Sequence, residues 1–149
     1  MLFLRALIAF LVLPGIVAFL APALLVGPIE TSTPHGEGVA VFVTGALVLL
    51  WCVRDFYIAG KGTLAPWDPP RHLVRIGLYR LSRNPMYVGV LTILVGWALL
   101  FMSRTLLIYA AAIAVMFHLR VILGEEPWLA RMHGAKWTAY KENVPRWFL

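Results

Sequence analysis

The stretch GLYRLSRNPMYVG, residues 77–89, decides how the rest of this 149-residue chain is read. It is basic, it is broken by Pro85, and it lies between two runs apolar enough to enter a membrane. Arg75 just ahead of it, Arg80 and Arg83 accompany two tyrosines, Tyr79 and Tyr87. A cationic, aromatic cluster at a bilayer surface needs a physical reason, and a bound ligand is one. On this reading the stretch is half of a ligand site whose other half lies downstream at Glu125 and Glu126.

Composition supports the membrane setting. The chain is 61% hydrophobic and 13% charged, with a mean hydropathy of +0.82, whereas soluble domains carry about 25% charge. A single integral membrane domain over 1–149 follows, and spans of about 20 apolar residues leave room for about four or five helices. The net charge of +6 sits beside apolar runs and not on a solvated face of its own, which favours a membrane surface over nucleic acid. The lone Cys52 falls within an apolar run, so it forms no internal disulfide and reads as a small buried hydrophobe. The N-terminal run superficially resembles a signal peptide. It exceeds the usual apolar core of about 7 to 15 residues and reads as a retained first span.

Hydropathy and proline placement predict an all-α protein with spans at about 2–26, 39–59, 87–102 and 105–123, followed by a C-terminal amphipathic helix on the membrane surface. Pro14, Gly15 and Pro22 predict a kinked first span, tolerable only where neighbours satisfy the freed carbonyls. Arg54 and Asp55, adjacent on a helix, are expected to snorkel outward. The Pro66, Pro69 and Pro70 cluster predicts an extended or turning chain, and Pro85 is placed to start the third span. Pro127 is expected to begin a new helix, with Glu126 near its N-cap. Arg5, the basic central loop and the basic tail fall on one side of a four-span topology, so that side is cytoplasmic by the positive-inside rule.

This topology brings the central loop and the start of the tail to one membrane face. Arg71, Arg75, Arg80 and Arg83 offer planar donors to a carboxylate or phosphate, although arginines in such loops are commonly topology determinants. Glu125 and Glu126 offer acceptors to a cation, so a zwitterionic ligand fits both halves. His118 precedes Glu125 by seven residues, on roughly the same helical face, and reads as a packed histidine. The sequence has no GxGxxG after a strand, no GxxxxGK[ST] and no HExxH. His35, His72, His118 and His133 have no metal-ligand spacing. A haem between His118 and either His72 or His133 stays open as an alternative, in a non-catalytic module that binds haem or lipid.

The combination of GLYRLSRNPMYVG, an apolar hairpin of about 35 residues and EEPWLARMHGAKWTAYKENVPRWF resembles the isoprenylcysteine carboxyl methyltransferase and phospholipid methyltransferase superfamily of integral membrane enzymes. The similarity covers roughly residues 66–149. It implies S-adenosylmethionine as donor, with S-adenosylhomocysteine as product, bound at the cytoplasmic face, and a lipid or lipid-like acceptor entering sideways from the bilayer. It places the cofactor-binding strip on Arg71, His72, Leu73 and Val74, its tyrosine on Tyr79, and the next element on Arg83, Asn84, Pro85, Met86 and Tyr87, running on to Gly89. The downstream acid falls on Glu125, with Glu126 beside it. Two positions depart from the pattern: Asn84 stands where the isoprenylcysteine enzymes usually have histidine, and Val121 stands where they place a substrate-contacting arginine. Arg120 can serve with Glu125 as a catalytic residue in its place only if the helix is rotated or locally unwound.

Overall fold

Proline and glycine set where each helix winds, bends and touches its neighbour. The computed structural model describes residues 11–26, 35–60 and 72–148. The start of the first predicted span, the first loop, the proline cluster and Arg71 lie outside the described residues. α1 comprises Leu11–Leu20 and Ala21–Val26. α2 is Gly36–Gly60, α3 is Pro85–Leu100, α4 is Arg104–His133 and α5 is Ala135–Asn143. A 3₁₀ turn, Gly77–Arg80, precedes α3, and no strand occurs among the described residues. By length and composition α2 and α4 are able to cross a membrane, whereas the apolar helices Pro14–Val26 and Pro85–Leu100 are shorter.

The first helix is π-wound around Pro14, and the wider turn accommodates a residue that lacks an N–H and crowds the carbonyl four residues back. Pro22 leaves the carbonyl of Ala18 without its usual donor. Trp97 Nε1 of α3 donates to that carbonyl at 3.0 Å, and Tyr109 Oη of α4 donates to the carbonyl of Val17 at 3.1 Å. Neighbouring side chains thus bond to carbonyls of α1 near its prolines.

The helices α2 and α3 run antiparallel at very close range. Glycines on both make this approach possible: a Cβ on Gly45 would stand 2.6 Å from the nitrogen of Ile93, and one on Gly96 would stand 2.6 Å from the Cα of Phe42. Ala18, Leu49, Val90, Ile93, Leu94, Ala110, Ile113 and Phe117 then form a core shared by the four apolar helices. Leu107, Ile108, Val115 and Leu123 of α4 point outward and are largely exposed, as lipid-facing residues would be.

Between α3 and α4 the chain turns at Met102 and Ser103, and the Ser103 side chain accepts from the N–H of Leu106 to cap α4. Two expectations fail. Asp55 does not snorkel: it is 1% exposed while Arg54 is 66% exposed, although Arg54 Nη1 still reaches Asp55 Oδ1 at 3.2 Å. Asp55 is enclosed because the Gly77 turn packs directly on it. Nor does Pro127 start a new helix. α4 continues through it by way of a π-turn, Val121–Glu125, in which the N–H of Glu126 bonds to the carbonyl of Val121. That widened turn precedes the proline and relieves its clash with the preceding turn.

Gly77 has φ +53°, and a Cβ there would lie 2.1 Å from Asp55 Oδ2. Gly77→Ala therefore adds both backbone strain and a collision with a buried carboxylate. Its expected cost is about 1–3 kcal/mol, read as a lowered thermal midpoint in detergent; an unchanged midpoint would remove this account of the turn.

Candidate active site

The central-loop half and the tail half of the predicted site do meet. The C-terminal end of α2, the 72–84 segment, the start of α3, the end of α4 and α5 converge at one end of the bundle. They line a small open cleft of about 90 Å³. Its apolar walls come from Phe56, Leu73, Val74, Met86, Leu129 and Trp137. Its polar lining comes from His72, Tyr79, Arg83, Asn84, Tyr87, Glu125 and Tyr140.

The π-turn creates the polar end of this cleft. In a π-wound turn, residues five apart come into register, so Arg120 and Glu125 share a face that a regular α-helix would deny them. Arg120 Nε donates to Glu125 Oε1 at 2.9 Å and to Tyr87 Oη at 3.1 Å, and the Tyr87 hydroxyl also hydrogen-bonds to Glu125 Oε1. Val121, at the position of the expected arginine, is buried in the core at 1% exposure. The local unwinding that Arg120 needed is present. The Tyr87 ring is held against Phe117, with centroids 4.3 Å apart.

Glu126 occupies a different environment from Glu125. Its carboxylate is gripped by Arg83 Nη1 at 2.8 Å and by a fork from Arg146, with Nε at 2.8 Å and Nη2 at 3.0 Å. The Arg83 guanidinium also lies 5.5 Å from the Trp137 ring centroid. Burial lowers the Arg83 pKa against the raising effect of Glu126, while the hydrogen bond to Glu126 raises that of the more exposed Arg146. The opposite shifts reflect burial, and both guanidinium groups stay charged. Arg146 was not singled out by the sequence reading; its only signal was a basic residue beside a proline near the end of the tail.

Above the cleft, Tyr140 Oη donates to the carbonyl of Tyr79 at 2.6 Å, and burial pushes the Tyr140 phenol up to about 12. Trp137, Tyr140 and Val144 pack together against Leu73 and Leu129. The aromatic side of the tail therefore faces the protein. Among the described residues, the buried Tyr79 hydroxyl and Arg83 Nε have no hydrogen-bond partner. Burial, followed by Cys52, Tyr140 and Asp55, raises the Tyr79 pKa well above the ordinary range.

Of the predicted cofactor-binding residues, His72, Leu73, Val74, Tyr79, Arg83, Asn84, Met86, Tyr87 and Glu125 line the cleft. Pro85 is the first residue of α3, after the N-cap position Asn84, and Gly89 packs at the α2 interface, where a Cβ would stand 3.0 Å from the nitrogen of Leu49; neither lines the cleft. Glu126 binds arginines of the chain itself. His118 faces the tail, its Nδ1 accepting from Trp147 Nε1 at 3.3 Å.

Comparison with curated proteins returns no match, and comparison with solved structures returns none. The sequence does match the phospholipid methyltransferase family over residues 35–136, more than half of the chain. This stretch contains α2, α3, α4, the 72–84 segment and the Arg120–Tyr87–Glu125 cluster. The chain belongs to the phospholipid methyltransferase family.

Proposed function

We propose that this protein is an S-adenosylmethionine-dependent methyltransferase acting on a membrane-embedded or amphiphilic acceptor, methylated at a carboxylate or at an amine or phospholipid headgroup; the family match supports a lipid-type acceptor. The observation that carries this reading is the closeness of an ion-paired polar end, Tyr87–Glu125–Arg120, to an apolar aromatic cleft lined by Tyr79 and Arg83, each with a buried polar atom that has no hydrogen-bond partner among the described residues. Those residues fit the donor's chemistry. Glu125 suits an ammonium, and the spare Nε of Arg83 suits a carboxylate. The Tyr79 hydroxyl offers a hydrogen bond to a polar nucleoside atom, and Phe56, Leu73, Val74 and Trp137 offer apolar faces. When bound, S-adenosylmethionine supplies an electrophilic methyl group on a sulfonium whose charge is lost on transfer.

The work left to the chain is alignment and exclusion of water. Arg120 and Tyr87 fix the orientation of Glu125, while α5 roofs the cleft with Trp137 and Tyr140. For an amine acceptor, the Glu125 carboxylate is the group placed to take the proton released on methylation. We place the protein in a membrane with four spans, α1 to α4, the cleft at the cytoplasmic end and α5 at the interface. In support, α4 with its 30 residues measures about 45 Å against a hydrocarbon thickness of about 30 Å, so its last turns carry Glu125 out of the apolar layer.

The test is transfer of a labelled methyl group from S-adenosylmethionine to a membrane lipid extract. Purified wild-type protein is expected to label an extractable amphiphile and Glu125→Gln to label far less. No labelled acceptor from a folded wild type would count against the reading.

A further inference from the structure

The two halves of the cleft are joined by residues that the family match does not reach, since it ends at 136. Arg146 is at the centre of that junction. Its guanidinium forks onto Glu126, whose other partner is Arg83 at 8% exposure. Its main-chain carbonyl accepts from Ser82 Oγ at 3.2 Å and from Asn84 Nδ2 at 3.0 Å, and the neighbouring carbonyl of Pro145 accepts from the N–H of Arg83 at 2.9 Å. One residue thus ties the loop before α3 to the end of α4.

We infer that Arg146 is a positioning residue for the donor site, fastening the 144–147 segment across the loop so that Arg83, Glu125 and the α5 roof keep their relative places. The inference rests on the donor reading above. Three observations lead to it. A forked guanidinium on a carboxylate that is 12% exposed has the geometry of a directional clamp, which a diffuse surface charge pair lacks. Arg83 and Glu126 are too buried to lose a partner without consequence. Asn84, where the resemblance leads one to expect histidine, spends its amide donor on the Arg146 carbonyl, so in this chain the position serves the clamp.

The role differs from simple stabilisation. Arg146 lines no part of the cleft, yet it fixes Arg83, which does, and through residues 144–145 it anchors the helix that carries Trp137 and Tyr140. Loss of the fork frees α5 locally, and a roof that is part of the time open holds a ligand less tightly.

The experiment compares wild type, Arg146→Gln, Arg146→Lys and, as a control at the far end of α4, Arg104→Gln. Hydrogen exchange of the ligand-free proteins in detergent is read together with calorimetric binding of S-adenosylhomocysteine. For Arg146→Gln, exchange across 135–144 is expected to rise about tenfold and the dissociation constant to rise about tenfold. Arg146→Lys, which keeps the charge but not the fork, falls between, and Arg104→Gln matches wild type. If Arg146→Gln does not fold, Ser82→Ala removes one bond to the same carbonyl and is expected to move both readouts in the same direction by less. Unchanged exchange across 135–144 would overturn the clamp. Raised exchange with unchanged affinity would reduce Arg146 to a structural role and overturn the positioning claim. A wild type that binds no S-adenosylhomocysteine would overturn the donor reading instead, a failure separable from the others because it appears before any substitution is made.

Discussion

Gly96→Leu is expected to abolish the folded protein in detergent extracts, giving aggregation or loss of a cooperative thermal transition. Even the first added carbon would stand 2.6 Å from both the Cα and the nitrogen of Phe42 and 2.8 Å from its Cβ. Backbone cannot rotate away as a side chain can, so α2 and α3 must separate. Ordinary overpacking costs about 1–3 kcal/mol. Here the displaced element is a whole helix, and Ile93, Leu94 and Leu49 lose their packing with it. Marginal domain stability of about 5–15 kcal/mol leaves little to absorb that loss. Gly36→Ala is the matched control, because nothing lies within 4 Å of the added carbon. A Gly96→Leu protein with a wild-type thermal transition would show that the close approach of α2 and α3 is not as described.

The cause of that close approach was not visible in the sequence. Hydropathy locates the apolar runs, and Pro85 is legible as the start of α3. The glycines of α2 and α3 carry no sign of their partners, since which face of one helix meets which face of another is a long-range matter. The burial of Asp55 is long-range in the same way. An acid beside an arginine at a helix end usually reaches water, and only the Gly77 turn, twenty-two residues on, encloses it. A helix start is the commonest role of a proline placed like Pro127. The competing solution, a π-turn that carries the helix through, is a matter of local winding that a single proline does not announce.

The same winding explains what was and was not legible at the site. The pairing of the 77–89 stretch with Glu125 was readable because order and spacing along the chain, with a topology, put both at one end. The different tasks of two adjacent acids were not readable. Glu125 lines the cleft and is bonded to Arg120 and Tyr87, whereas Glu126 is held by Arg83 and by Arg146 from the far end of the chain.

Glu125 is the residue on which the account depends most. Replacing it by glutamine keeps the shape and removes the negative charge, so Arg120 and Tyr87 lose a charge-assisted partner and a bound ammonium loses its counter-ion. Hydrogen bonds to charged groups are worth about 1.5–3 kcal/mol, and partial exposure, 33% for Glu125 and 46% for Arg120, places the expected loss at the lower end, about tenfold in affinity. Tyr87→Phe separates orientation from charge: it keeps the ring against Phe117 and removes only the hydroxyl. It is expected to weaken binding by less than Glu125→Gln.

The most direct measurement of the central claim is calorimetric titration of the folded, detergent-solubilised protein with S-adenosylhomocysteine. The predicted result is saturable one-to-one binding by wild type, about tenfold weaker in Glu125→Gln and unaltered in Arg104→Ala at the opposite end of the bundle. The contradicting result is no binding by folded wild type at about 1 mM ligand, or equal losses in Glu125→Gln and Arg104→Ala.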